Sequence, residues 1–513
     1  MREPAYKHML QARDVTIEHL EMRDSSVIDD MESELAGRGY DIKKIREYLD
    51  RDDVWTLAIR DGARGNKIVA VAAAKRLDSF DLLAEFGNAD TAEYVRAQAA
   101  GAIPVIGGFF CSRKTKLPCI EQTLLVEMVS ELIEMDYTYV VYHPCVKAGM
   151  SRRLTEFMTK QGFINIGRPK GETILAANMT MPVIIFKNVS TIIKAPLNEN
   201  PRVLRMVEDA HDRLLGEINK LYPGHLIISY NSGIMYQKMI NLITKINDVP
   251  VEPRKTKKYG PYMAVPFGMF LENKVVPNTV TKSLHTEKYY NREITNFTVE
   301  ARRNYSPIAD QIRMIKSFNR QVILVDNLLN KGYRMNKIDP ILKEHQVKVV
   351  VTAVGVLTGR GKDLMTMKKR TAECAYYVPN IRLWLDETSL YPYLGGDSIK
   401  NPGEDVNHKK AVPSMNMILP YAVPSFLGDL PGSSIYNYSM TCLENARDIL
   451  RVLEEEYQNV FEKKLTLRRL GEVINSPKIV EVNRHLETDE SIAPSIHVER
   501  DIEALTRLKV MFK

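Results

Sequence analysis

The sequence predicts an α/β protein with a mixed sheet in its first third, a parallel sheet in its middle and helices at its end. Three observations predict it. The 513 residues exceed what one hydrophobic core organises, so the chain divides into two or three domains. The first third interleaves alternating strands with charged amphipathic helices. The middle alternates helices with strands apolar enough to be buried on both faces, the pattern of a parallel sheet. Boundaries are placed at 1–190, 191–439 and 440–513, the last being a helical extension.

Composition narrows the function classes. With 44% apolar and 26% charged residues the chain reads as globular. It has no run of about eighteen apolar residues to span a bilayer, and its first thirty residues are charged throughout, unlike a secretory signal. A cytoplasmic location without a membrane partner is expected. Cys111, Cys119, Cys145, Cys374 and Cys442 form no CxxC pair and are odd in number, so they are read as reduced thiols and zinc is not suggested. The net charge of +7, from 71 basic and 64 acidic residues, is a small excess. The basic runs at 254–258 (RKTKK) and 368–370 (KKR) read as solvated loops, and nucleic acid is not expected as a partner. A homo-oligomer is compatible with the sequence.

The elements of the first third follow in order. TIEHLEMRD is a strand, SSVIDDMESELAGRG and DIKKIREYLDRDD are helices, and VWTLAIRD and KIVAVAAAKRL are strands joined by the turn DGARGN. A helical insertion at 78–101 precedes the strand AIPVIGGFFCS. Next come a helix at 120–135, the strand TYVVYHP, a helix SRRLTEFMTKQ stopped by Gly162, the strand FINIG and a strand near MPVIIFKN.

This order resembles the GNAT-type acyltransferases over about 170 residues. In that family a glycine-rich turn after the fourth strand holds the pyrophosphate of acyl-CoA with backbone N–H groups. Here the segment is CSRKTKLPC, in which Arg113, Lys114 and Lys116 supply charge but no glycine permits close backbone approach. The resemblance implies acetyl-CoA as a ligand. Tyr142 and His143, at the end of the fifth strand, are the nearest polar candidates for a base.

In the middle third, residues 196–247 are mostly helical and include a strand, HLIISYN. A strand at 262–267, a helix ending near Phe318, the strand VILVD, a helix through Glu344 and the strand VKVVVTAVGVL follow. The stretch QVILVDNLLNKGYRM places an acid, an amide and a glycine turn at the end of a buried strand, where open α/β sheets bind phosphorylated ligands. It resembles the type I phosphoribosyltransferases, whose signature is four apolar residues, two acids, two apolar residues and Thr-Thr-Gly-x-Thr. The resemblance implies that Asp326 and Asn327 hold ribose hydroxyls, that Asn330, Lys331, Gly332, Tyr333 and Arg334 cradle a phosphate, and that Asp326 serves Mg2+. Lys282, in the position of that family's mobile loop, is the implied cation for a leaving pyrophosphate. Asn327 replaces the second acid, and Asn330, Lys331 and Arg334 replace hydroxyl residues, which shifts the site toward phosphate binding.

The remainder is less patterned. TGRGKDLMTMKKR reads as a solvated turn, and the segment after NIRLWLDETSLYPYL as a long loop. Trp384, Tyr391 and Tyr393 read as core aromatics. A helix is expected at 440–464, followed by a shorter segment and a polar tail. Three functions compete on this sequence: a transferase of ribose-phosphate or nucleotide metabolism binding a phosphorylated small molecule, a catalytically silent sensor or scaffold, and an N-acyltransferase using the N-terminal domain.

Overall fold

The structure is a computed structural model that describes residues 15–19, 42–99, 101–112, 120–145, 152–167, 173–253, 259–268, 270–271, 274–291, 294–400, 412–428, 430–480 and 489–512. The expected helix at 25–39, Arg113, Lys114, Lys116 and the basic run at 254–258 lie outside the described residues.

The first part of the chain builds most of one sheet. β1 (Val15–His19), β2 (Val54–Asp61), β3 (Lys67–Leu77) and β4 (Ile103–Cys111) pair antiparallel in that order. β5 (Tyr139–Tyr142) then pairs parallel to β4. β6 (Ile164–Gly167) pairs antiparallel to β7 (Ile174–Lys187), which itself lies antiparallel to β5. Helix α1 (Ile42–Leu49) precedes β2, the insertion forms α2 (Leu82–Phe86) and α3 (Ala89–Gln98), and α4 (Ile120–Glu134) and α5 (Arg152–Lys160) flank β5. β3 is buried over nearly its whole length and rich in alanine, which lets helices approach both faces.

β7 is longer than the strand expected near MPVIIFKN, and its second half takes new partners. After α6 (Pro201–Leu221), β8 (His225–Asn231) joins β7 in parallel, before α7 (Ser232–Ile246) begins. A second, five-stranded sheet follows, every pairing of which is parallel. It comprises β9 (Tyr262–Pro266), β10 (Val280–Thr281), β13 (Gln321–Leu329), β14 (Val349–Leu357) and β15 (Thr371–Tyr377) in the order β10-β9-β13-β14-β15. The antiparallel pair β11 (Thr286–Tyr290) and β12 (Phe297–Ala301) belongs elsewhere. Helices α8 (Ile308–Ser317), α9 (Tyr333–Glu344) and α10 (Gly359–Met367) connect the parallel strands. α10 is a correction: TGRGKDLMTMKKR was expected as a turn, yet the Thr358 hydroxyl accepts from the Gly361 N–H and caps a helix.

The chain then returns to the first sheet, where β16 (Leu383–Asp386) pairs parallel to β7 and completes nine strands. β17 (Asp397–Ile399), β18 (Val412–Met415) and β19 (Lys478–Val480) combine with β11 and β12 in a third sheet. α11 (Gly432–Phe461) begins eight residues before the expected 440, within PYAVPSFLGDLPGSSIYNYS. The expected polar tail instead contains α12 (Pro494–Arg507). Trp384 stacks on Phe186 with ring centroids 5.7 Å apart, and Tyr391 and Tyr393 are buried.

Packing is layered. Leu124, Met128 and Leu132 of α4 and Met235, Met239 and Ile243 of α7 share one core cluster with Leu57, Ala72 and Ile106 of the first sheet and Ile323, Val325 and Ala353 of the parallel sheet. The two helices are thus sandwiched between the sheets, and each fully buried Leu or Ile contributes about 1.5–3 kcal/mol. A polar tie crosses this layer. The Lys238 ammonium meets Glu127 at 2.5 Å and lies 4.3 Å from the centroid of the Tyr376 ring, whose hydroxyl donates to Glu127 at 2.7 Å.

Candidate functional site

Two constellations concentrate charge where strands end. The first is built around the only parallel step in the N-terminal strand run, β1 to β5, among the described residues. β4 and β5 are in register at Val105↔Val141 and Ile106↔Tyr142. Beyond that, the His143 and Cys145 N–H groups donate to the carbonyls of Ile106 and Gly107 at 3.0 and 2.7 Å. On its other side β4 carries a bulge: Ala73 faces Gly108 and Ala74 faces Ile106, so Gly107 has no register partner on β3. Tyr48 of α1 lies directly over it. A Cβ at position 107 would stand 2.3 Å from the Tyr48 hydroxyl, so only glycine fits. That hydroxyl is buried and has no hydrogen-bond partner among the described residues.

Lys75 explains the rest of the arrangement. It is a cation in a strand of alanine and valine, 8% exposed, and a buried ammonium requires a partner. Glu85 of α2 provides it, pairing with Lys75 through one carboxylate oxygen and with the His143 Nδ1 at 2.9 Å through the other. Phe86 closes edge-on over the His143 ring at 5.6 Å. Burial pushes the Glu85 carboxyl upward, but the hydrogen bonds from His143 and Lys75 outweigh it and hold the group below the ordinary carboxylate range. With Glu85 ionised, Nδ1 is the ring nitrogen that donates to it. Burial raises the Tyr48 hydroxyl, and it lifts the Cys145 thiol to about 12. At neutral pH both remain protonated, so Tyr48 is a donor and Cys145 is no nucleophile.

Of the residues singled out from sequence here, His143 falls within this constellation, whereas Tyr142 packs in the core against Phe109 with ring centroids 6.0 Å apart. Lys75, Glu85 and Tyr48 were missed. The lysine that breaks off the apolar run of KIVAVAAAKRL was the available signal.

The second constellation lies at the C-terminal edge of the parallel sheet. Asp326 does not end its strand, since β13 continues in register to Leu329↔Leu357. Its carboxylate is held by Arg334, whose Nε lies 3.2 Å from Oδ2, and it accepts the Asn327 N–H at 2.8 Å. Arg334 also reaches the Asn327 side chain at 3.3 Å and rests 4.6 Å from the Phe267 ring centroid. The sequence motif therefore comes together, but its acid and its arginine are spent on each other. Asn330 accepts from the Thr358 hydroxyl at 3.2 Å, and the Lys331 ammonium stands 5.9 Å from the centroid of the exposed Tyr333 ring. Gly332, at φ +67°, caps α9, and a Cβ there would strike Leu364. Lys282 is half-buried beside β9, its N–H donating to Ala264 at 3.0 Å.

Charges from the other two sheets face this edge. Tyr289 is in register with Ser398, which places Lys288 beside Asp397 one step back on the opposite face. Asp386, at the end of β16, accepts from Asn188 at 2.6 Å and from the Thr388 hydroxyl at 2.8 Å. Burial and the Arg334 charge pull Lys288 down to about 8, against the opposing pull of Asp397 and Asp386. Burial pushes Asp386 and Asp397 above the ordinary carboxylate range. Neither Lys288 nor Asp397 has an ion-pair partner among the described residues. Among those residues no group of three or more His, Cys, Asp or Glu side chains could hold a metal ion, and no helix is long and apolar enough to cross a membrane.

No family model and no curated protein sequence matches the chain. Solved structures do, over about a third of its length. FeeM, an N-acyl amino acid synthase from uncultured soil microbes, is 11% identical, with 32% of this chain and 88% of that one covered, at a TM-score of 0.25. Arabidopsis thaliana NAA60 in complex with acetyl-CoA is 12% identical, covering 32% and 98%, at 0.23. The ribosomal-protein-S18-alanine N-acetyltransferase from Escherichia coli is 11% identical, covering 33% and 95%, at 0.23.

Proposed function

We propose that this protein is an N-acyltransferase whose reaction centre lies between β4 and β5. The observation that carries the reading is the line Lys75–Glu85–His143 beside the Gly107 bulge, under the unsatisfied hydroxyl of Tyr48. In this reading His143 Nε2 takes the proton of an attacking amine while Glu85 holds the ring and balances the imidazolium. The new C–N bond forms as the thioester C–S bond breaks, and the departing thiolate takes that proton back from the His143 imidazolium. Tyr48 supplies a hydrogen bond to the acyl oxygen as it gains charge. Because the Cys145 thiol is held up at about 12, the acyl group passes directly to the amine and not through an acyl-cysteine. Arg113, Lys114 and Lys116 follow β4 in sequence and are proposed to meet the pyrophosphate of acetyl-CoA.

Thiol release from acetyl-CoA, measured with a panel of primary amines, tests the reading. His143→Ala is expected to lower kcat about 10²- to 10⁴-fold. Unchanged turnover in that variant would remove His143 from the chemistry and the reading with it.

A second reading concerns the parallel sheet, where the buried Lys288 and Asp397, which form no ion pair among the described residues, favour a ligand. We infer a phosphorylated small molecule there, entering as the Arg334–Asp326 pair opens and frees both side chains. Calorimetric titration with phosphoribosyl pyrophosphate and Mg2+ is expected to show saturable binding lost in Asp326→Ala. Equal binding by that variant defeats it.

A further inference from the structure

The small net charge of the chain is not spread over it. Between residues 308 and 370 there are 13 Lys and Arg against 5 Asp and Glu, a net of +8. The rest, 58 basic (71 − 13) against 59 acidic (64 − 5), nets −1. That stretch carries α8, α9 and α10. Ile312 and Ile315, Met335 and Ile338, and Met365 anchor the three helices on one face of the parallel sheet. Their other sides face solvent, where Lys331, Lys337, Lys343, Arg360, Lys362 and Lys369 are exposed.

Three of the five acids cannot neutralise this face. Asp326 is held by Arg334, Asp339 by Lys368 and Arg370 at 2.5 and 2.6 Å, and Asp310 by Arg313. Glu344 and Asp363 remain exposed. None of the six cations has an ion-pair partner among the described residues, in contrast to exposed cations such as Arg51, Arg202 and Arg213, which pair with Asp53, Glu455 and Asp448, although exposed Lys67, Arg205, Lys245 and Arg500 are likewise unpaired among those residues. Lys331 and Lys343 flank the two ends of α9, a helix of 12 residues and so about 18 Å long. That separation suits a polyanion and not a single phosphate. At one end of the band the Tyr333 ring is 60% exposed, a flat apolar surface on which an unpaired base can stack.

We propose that the α8–α10 face binds single-stranded nucleic acid, with the lysines and Arg360 on the phosphates and Tyr333 under a base. The chain-wide excess does not reveal this, because a net of +7 is small for 513 residues until it is found to lie almost wholly in 63 of them.

Fluorescence anisotropy of the full chain tests it, with a labelled 30-nucleotide oligouridine, a DNA duplex of equal length and polyglutamate, each titrated between 50 and 200 mM KCl. Five or six phosphate contacts on a single strand predict a log–log salt slope of about −4, and hence about 10²-fold weaker binding over that range. Lys337→Glu/Lys343→Glu/Lys362→Glu is expected to weaken the oligouridine complex at least 10-fold, with Lys337→Gln/Lys343→Gln/Lys362→Gln, which introduces no repulsion, intermediate. Tyr333→Ala is expected to weaken the single strand about 5- to 100-fold and leave the duplex unaffected. Absence of saturable oligouridine binding at 50 mM KCl, or equal binding by the charge-reversed chain, overturns the proposal. Polyglutamate bound as tightly as oligouridine overturns it in favour of an acidic protein partner.

Discussion

The β4–β5 constellation and the edge of the parallel sheet solve opposite electrostatic problems. Around Glu85 every charge is answered within the protein: Lys75 on one oxygen, His143 on the other, and a carboxyl held below its ordinary range. Around Asp386 and Asp397 burial is only partly answered, and the carboxyls are held above it. A carboxylate stabilised in place can steady a histidine through repeated proton transfers. Carboxyls and a lysine left in deficit store a cost that a ligand of complementary charge relieves. On the proposed reading, the contrast is between a site preorganised for chemistry and one poised for binding.

Glu85→Gln gives the larger test of that contrast. The amide cannot answer the Lys75 ammonium, which is left buried with its charge, at a cost of about 3 kcal/mol. The sign with pH follows from the depressed carboxyl. Its stabilisation is fully present above the ordinary Glu value near 4.5 and is lost as pH falls through the lower folded value. Urea unfolding should therefore show the variant destabilised at pH 7, with the deficit shrinking in acid. A variant as stable as the parent at pH 7 would show that Glu85 is no structural partner of Lys75.

How much of this was legible in the sequence depends on the range over which each contact forms. β2 and β3 were readable from VWTLAIRD and KIVAVAAAKRL because alternation and burial are local properties. α10 was misread because TGRGKDLMTMKKR holds two glycines and a basic end, and its helix depends on the Thr358 cap and on Met365 reaching the sheet. β16 reads locally as a strand, but nothing near NIRLWLDETSL says that it returns to pair with β7, some 200 residues earlier. The sites behave likewise. Asp326 and Arg334 are eight residues apart and were found together, although their mutual pairing was not. Glu85 and His143 are 58 residues apart, and only the fold brings the insertion that holds Glu85 against the end of β5.

Asp397→Asn is the smaller and sharper test, because its sign is reversed. The Asp397 carboxyl is raised above its ordinary value of 3.8, chiefly by burial, with the Asp386 charge adding to it and Lys288 and Lys478 opposing. Between the unfolded and folded values the native chain holds the proton that the unfolded chain has released, so stability falls as pH rises through that window and stays low at neutral pH. Asparagine keeps the shape and removes the charge. The variant is expected to be more stable than the parent at pH 7, by about 1 kcal/mol, and to lose that advantage as pH falls below 3.8, where the parent's carboxyl is neutral in both states. Glu85→Gln and Asp397→Asn remove a carboxylate in the same way yet should move stability in opposite directions, and a loss of stability in both would erase the distinction between the two regions. If Asp397→Asn stabilises the chain while abolishing binding of a ligand at the edge of the parallel sheet, the electrostatic cost stored there is itself part of recognition.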